Sequence, residues 1–130
     1  MIRFTVVLIL TILAGCAARP GPDTDQAVAD FINVSELEEL RTVRTRHQYS
    51  YTQVTERYIV LKERKERYLV EFSRRCRELN EDQITPDIRR ESNVLRSGAD
   101  TIRGCHIKRM FAIDIGQAEE LLQLGKAPGQ

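Results

Sequence analysis

Signatures of enzyme chemistry are missing from this chain of 130 residues. There is no G-x-S-x-G elbow, no H-E-x-x-H zinc motif and no glycine-rich phosphate loop. Histidine occurs only as His47 and His106, far apart in the chain, and His47 reads as a polar surface residue before it reads as a base. Net charge is almost absent: 20 Lys and Arg face 19 Asp and Glu, so no global field steers the protein to nucleic acid. Repeats and low-complexity segments are absent. No apolar run reaches the roughly 20 residues that a membrane-spanning helix needs. These absences predict no catalytic residues, no metal site and no cofactor.

What is present starts at the first residues. Arg3 supplies a positive charge, and an uncharged, mostly apolar run follows from Phe4 to Leu13. This is the pattern of a secretory signal. Leu13-Ala14-Gly15-Cys16 resembles the lipobox of bacterial lipoproteins. The resemblance implies cleavage before Cys16, lipid on its sulfur and acylation of the new amine. One acyl chain binds a bilayer only reversibly, whereas three attach permanently in practice. Ala17 stands where an aspartate would favour retention, so the resemblance implies an outer-membrane protein facing the periplasm. The expected organisation is a signal at 1–15, a lipidated cysteine with a flexible tether at 16–26, and one domain at 27–130. Loss of Arg3 with the signal leaves 19 charges of each sign.

With Cys16 assigned to lipid, Cys76 and Cys105 remain. In an oxidising compartment their simplest fate is one disulfide. A redox pair and part of a metal site are the alternatives. A separation of 29 is unlike C-x-x-C, and only two histidines are available to complete a zinc set.

The pattern along the chain predicts an α+β fold: a small antiparallel β-sheet with short flanking helices and one disulfide. Ser35 and Glu38 match a capping box and predict a short helix to about Arg41. Residues 42–51 alternate with period two and are rich in Thr, Val and Tyr, which predicts a strand. A competing three- and four-residue stripe through 61 would have to bury Arg44 and His47. Strands are expected at 58–61, 68–72, 88–95 and 105–113, with KERKER at 62–67 as a solvated hairpin end and a turn at Ser97-Gly98. In the last strand, Cys105, Ile107, Arg109, Phe111 and Ile113 are expected on one face. Asp114 is expected to cap a closing helix that Gly125 stops.

Arginine is abundant. If Arg44, Arg46, Arg74 and Arg75 share a face, that face suits carboxylates or phosphates, since arginine binds both in bidentate fashion. Ion pairs dispersed among the 19 acids are the competing expectation.

Three stretches carry a further resemblance: YLVEF at 68–72 with Cys76 and Leu79; Leu95, Gly98, Asp100, Ile102, Cys105 and Ile107; and the tail from Gln117 through Gly125 to Gly129. They are similar to motifs of a family of short proteobacterial exported proteins and lipoproteins, known as a domain of unknown function. The resemblance covers about residues 35–129. It implies that both cysteines belong to the domain, and it implies no activity. The expected function is a non-catalytic envelope lipoprotein, an accessory module held to the membrane by its lipid and meeting an envelope protein. An anionic ligand or glycan bound through the arginine face is the alternative.

Overall fold

The computed structural model describes residues 22–45, 49–80, 88–89 and 93–126. The signal, Cys16, Arg46 and His47 lie outside them. The fold is α+β, as expected. Helices α1 (Pro22–Val34) and α2 (Ile115–Leu124) accompany strands β1 (Glu39–Leu40), β2 (Thr42–Arg44), β3 (Tyr49–Gln53), β4 (Tyr58–Glu63), β5 (Glu66–Phe72), β6 (Ile88–Arg89), β7 (Val94–Arg96), β8 (Thr101–Ile102) and β9 (Cys105–Ile113). Among the described residues, seven strands form an antiparallel sheet in the order β3-β4-β5-β9-β8-β6, and β1 also pairs with β9. β2 and β7 form a separate ribbon.

β9 is bonded along both edges, by β5 on one side and by β8 and β1 on the other. Both faces of the sheet are covered, which explains why YLVEF is almost continuously apolar. On one face, α1 and α2 bring Val28, Ile32, Ala118 and Leu121 against Tyr58, Val60, Leu69, Phe111 and Ile113. On the other, Val43 and Leu95 of the ribbon cover Ile59, Leu61, Val70, Phe72, Ile107 and Met110. Each such fully buried aliphatic or aromatic side chain contributes about 1.5–3 kcal/mol.

Three local readings change. The helix expected from Ser35 is instead the end of α1. Leu37 N–H donates to Ile32 O and Glu36 N–H to Asn33 O, with Glu36 at φ 49°. This is a Schellman C-cap with its usual apolar contact, here between Leu37 and Ile32. The serine that resembles an N-cap is therefore a C-cap. Helix α1 takes in residues 22–26 of the expected tether, because the stripe of Val28 and Ile32 finds the sheet. The expected 88–95 strand is divided into β6 and β7, which pair with different partners.

β9 also departs from simple alternation. Glu71 lies opposite Arg109 and Phe72 opposite Ile107, so Lys108 is the extra residue of a β-bulge. Cys105 and Ile107 consequently share the ribbon face with Met110, while Arg109, Phe111 and Ile113 turn to the helix face.

α2 forms as expected. Asp114 caps it by accepting from Gln117 N–H at 2.7 Å, and the Gln117 side chain accepts from Asp114 N–H at 3.0 Å. Gly125 caps its end, where a Cβ would stand 2.4 Å from the Val54 carbonyl oxygen, so only glycine fits. β8 and β9 are joined by Arg103-Gly104, both at positive φ (54° and 77°), as tight hairpin turns require.

Candidate functional site

Cys76 and Cys105 are joined, both fully buried, with their Cα atoms 5.9 Å apart. The bridge ties the segment after β5 to the start of β9. Glu78 Oε2 lies 3.3 Å from Cys105 Sγ. A bridged sulfur carries no proton, so this is a contact and not a hydrogen bond. The ligand atoms of Cys76, Glu78 and Cys105 lie within 4.8 Å of one another, but metal binding requires thiolates and the sulfurs are bonded to each other. Arg103 braces the bridge, donating to Glu78 O at 2.9 Å and to the Tyr51 hydroxyl at 3.2 Å.

The arginines named from sequence separate. Arg44 lies on β2 beside the tip of the β4–β5 hairpin, where a recess of about 480 Å³ is lined by Arg44, Glu63, Arg64, Lys65, Glu66 and Tyr68. Arg74 and Arg75 follow the other end of β5, about 20 Å away by strand rise. Arg46 lies outside the described residues. Arg74 holds Glu78 with two bonds, 2.8 and 3.2 Å. That pairing, by its hydrogen bond first, holds the Glu78 carboxyl below the usual range. Arg75 Nε donates to Glu56 Oε2 at 3.1 Å, and its Nη1 pairs with Asp25 Oδ2 on α1.

A second constellation lies at this α1 end of the sheet. Tyr58, Glu71 and Arg109 are successive cross-strand neighbours on β4, β5 and β9. The bulge at Lys108 sets two cations against one carboxylate: Arg109 donates to Glu71 Oε2 at 2.9 and 2.5 Å, and Lys108 Nζ lies 3.6 Å from Oε1. Arg109 also stands 5.2 Å over the Phe111 ring. Burial, reinforced by the charge of Glu71, pushes the Tyr58 hydroxyl up to about 12. Beside this ladder, Asp25, Gln26, Ala29, Arg57, Tyr58 and Arg75 line a recess of about 360 Å³.

Sequence reasoning missed Asp25, Glu56, Arg57, Tyr58 and Glu71 as members of one cluster. Glu71 carried a usable signal, being the one acid inside a strand apolar on both faces. Asp25 was hidden by its assignment to a tether.

The class these features define is a small disulfide-bridged α+β domain with polar recesses at either end of its sheet. The chain belongs to a family of unknown function (DUF6491), whose model matches residues 1–127. That span is longer than the 35–129 stretch recognised from motifs. No curated protein and no solved structure matches the chain.

Proposed function

We propose that this protein is a lipid-anchored envelope module: residues 1–15 form a signal that is removed, Cys16 carries the lipid, and the domain serves as a non-catalytic accessory in the periplasm, held at the outer membrane. The buried Cys76–Cys105 bridge carries the reading, because such bonds persist in oxidising compartments. The lipobox pattern at Leu13-Ala14-Gly15-Cys16 supports it, and these residues fall within the span shared by the family. No helix among the described residues is long and apolar enough to cross a membrane. Among the described residues His106 is exposed and both core cysteines are bridged, which supports the non-catalytic reading. The partner of such a module is another envelope protein.

Metabolic labelling with a fatty-acid analogue tests the anchor. Wild type takes up label and fractionates with the outer membrane, whereas Cys16→Ser does neither. Wild-type protein without label sinks the anchor. In-cell crosslinking then identifies the partner, and its failure alongside working controls counts against the accessory role.

An anionic glycan or ligand is the second reading, favoured by one observation: Arg44 shares its recess with Arg64 and Lys65. It does not draw on Arg74 and Arg75, which already hold carboxylates.

A further inference from the structure

The recess at the α1 end holds groups that the surrounding ion pairs do not consume. Among the described residues no carboxylate pairs with Arg57. Asp25 binds Arg75 through Oδ2, and its side chain, 15 % exposed, lines the recess, while its Oδ1 is closed to solvent. Tyr58 adds a hydroxyl that remains a donor at neutral pH. A guanidinium with no carboxylate among the described residues and a phenol suit an anion, and the carboxylate beside them suits an ammonium. The complementary ligand therefore carries both signs.

The proposed anchor sets where this recess stands. Only residues 17–21 separate Cys16 from Pro22, the start of α1. At full extension this reaches about 20 Å. Asp25, Gln26 and Ala29 lie in the first two turns of α1, within about 10 Å more. The recess is thus tethered close to the lipid, and the β4–β5 hairpin tip lies at the opposite end of the sheet.

We propose that this recess docks a phospholipid head group of the anchoring membrane, one bearing a phosphate and a primary ammonium, with the phosphate on Arg57 and Tyr58 and the ammonium on Asp25. The proposal rests on the anchored reading of Cys16. A primary ammonium is specified because a trimethylated head group has no N–H to donate to the Asp25 carboxylate that lines the recess. Docking holds the α1 end against the bilayer and leaves the hairpin tip, with Arg44, Arg64 and Lys65, to face a partner.

Hydrogen exchange of the full chain tests this in two kinds of vesicle: phosphatidylethanolamine mixed with phosphatidylcholine, and phosphatidylcholine alone. In the first, amides in the opening turns of α1 and at 57–58 exchange roughly tenfold more slowly, the effect of about 1.4 kcal/mol. Arg57→Gln removes the difference, while Arg64→Gln at the far end keeps it. Equal exchange in the two vesicles overturns the proposal, as does protection that survives Arg57→Gln or disappears equally in Arg64→Gln. The mass of the N-terminal peptide reports separately on Cys16. If that cysteine carries no lipid, the anchor alone fails, and the mixed vesicles added to the unlipidated chain decide the recess by the same exchange pattern.

Discussion

Glu71 and Arg109 face each other across β5 and β9 as a carboxylate only 2 % exposed and a guanidinium that donates to it twice, at 2.9 and 2.5 Å. Removing one partner leaves the other's charge without its match. Arg109→Leu is expected to destabilise the domain by about 2–4 kcal/mol, below the largest values for buried pairs because Arg109 is one-third exposed and Lys108 stays near Glu71. Adding Glu71→Leu to that variant restores much of the loss. Urea unfolding of the two single variants and the double variant measures the coupling, and strictly additive losses would refute it.

Tyr58 predicts an alkaline weakness. Its hydroxyl is held at about 12 in the folded chain, against an ordinary 10.0. The folded state keeps its proton longer, so this contribution is fully present below pH 10 and is lost as pH rises toward 12. The loss is on the order of 2–3 kcal/mol. Ultraviolet titration of phenolate is expected to show one tyrosine ionising last, absent in Tyr58→Phe. A Tyr58→Phe stability profile as steep as wild type across that range would refute the assignment.

Reducing the Cys76–Cys105 bridge frees a loop with a sequence separation of 29. Chain entropy puts the cost at about 3–4 kcal/mol. Melting with and without reductant measures it, with the Cys76→Ser, Cys105→Ser double variant as the check. An unchanged midpoint would count against a structural role.

Gly125 is required by proximity and not by its backbone angle, which at φ −73° is ordinary. A methyl group there meets Val54 O at 2.4 Å and Val54 Cα at 3.0 Å. Gly125→Ala is expected to cost about 1–3 kcal/mol, the usual range for forced overpacking. Exchange at the amides of α2 rises first, because the end of that helix must lift. Wild-type melting would show that the β3–β4 turn yields.

Glu36 offers the opposite sign. It occupies the left-handed position of the α1 cap, at φ 49°, where glycine is usual. Glu36→Gly is expected to raise stability by roughly 0.5–1 kcal/mol, less whatever flexibility glycine adds to the unfolded chain. Thermal unfolding decides it, and a lower midpoint would mean that the Glu36 side chain contributes more than its backbone strain costs.

Elements whose cues were local were legible in the sequence. Asp114 and Gln117 announce the start of α2, Val-, Tyr- and Phe-rich runs announce β4 and β5, and the two cysteines announce the bridge. The misread elements depended on pairing. Ser35 has the same local chemistry at either end of a helix, and only the bond from Leu37 to Ile32 distinguishes the two cases. The bulge at Lys108 is set by β5, so alternation within β9 alone places Cys105 and Ile107 on the face of Phe111 and Ile113, whereas they lie on the opposite one. The polar cluster draws Asp25, Arg57, Glu71 and Arg109 from four separate elements and turns, and no spacing along the chain reveals it.

The position of β9 also has a consequence for the order of events in folding. β5 and β1 both reach their places by bonding to residues 105–113, and β8 does so too. A chain delivered from its N-terminus presents the β3–β4–β5 meander early, but the β5 edge of that meander stays open until β9, the last strand, arrives. Such late, distant closure is slow to nucleate. The sheet is therefore complete only when the last fifth of the chain, from residue 105 onward, is available to pair.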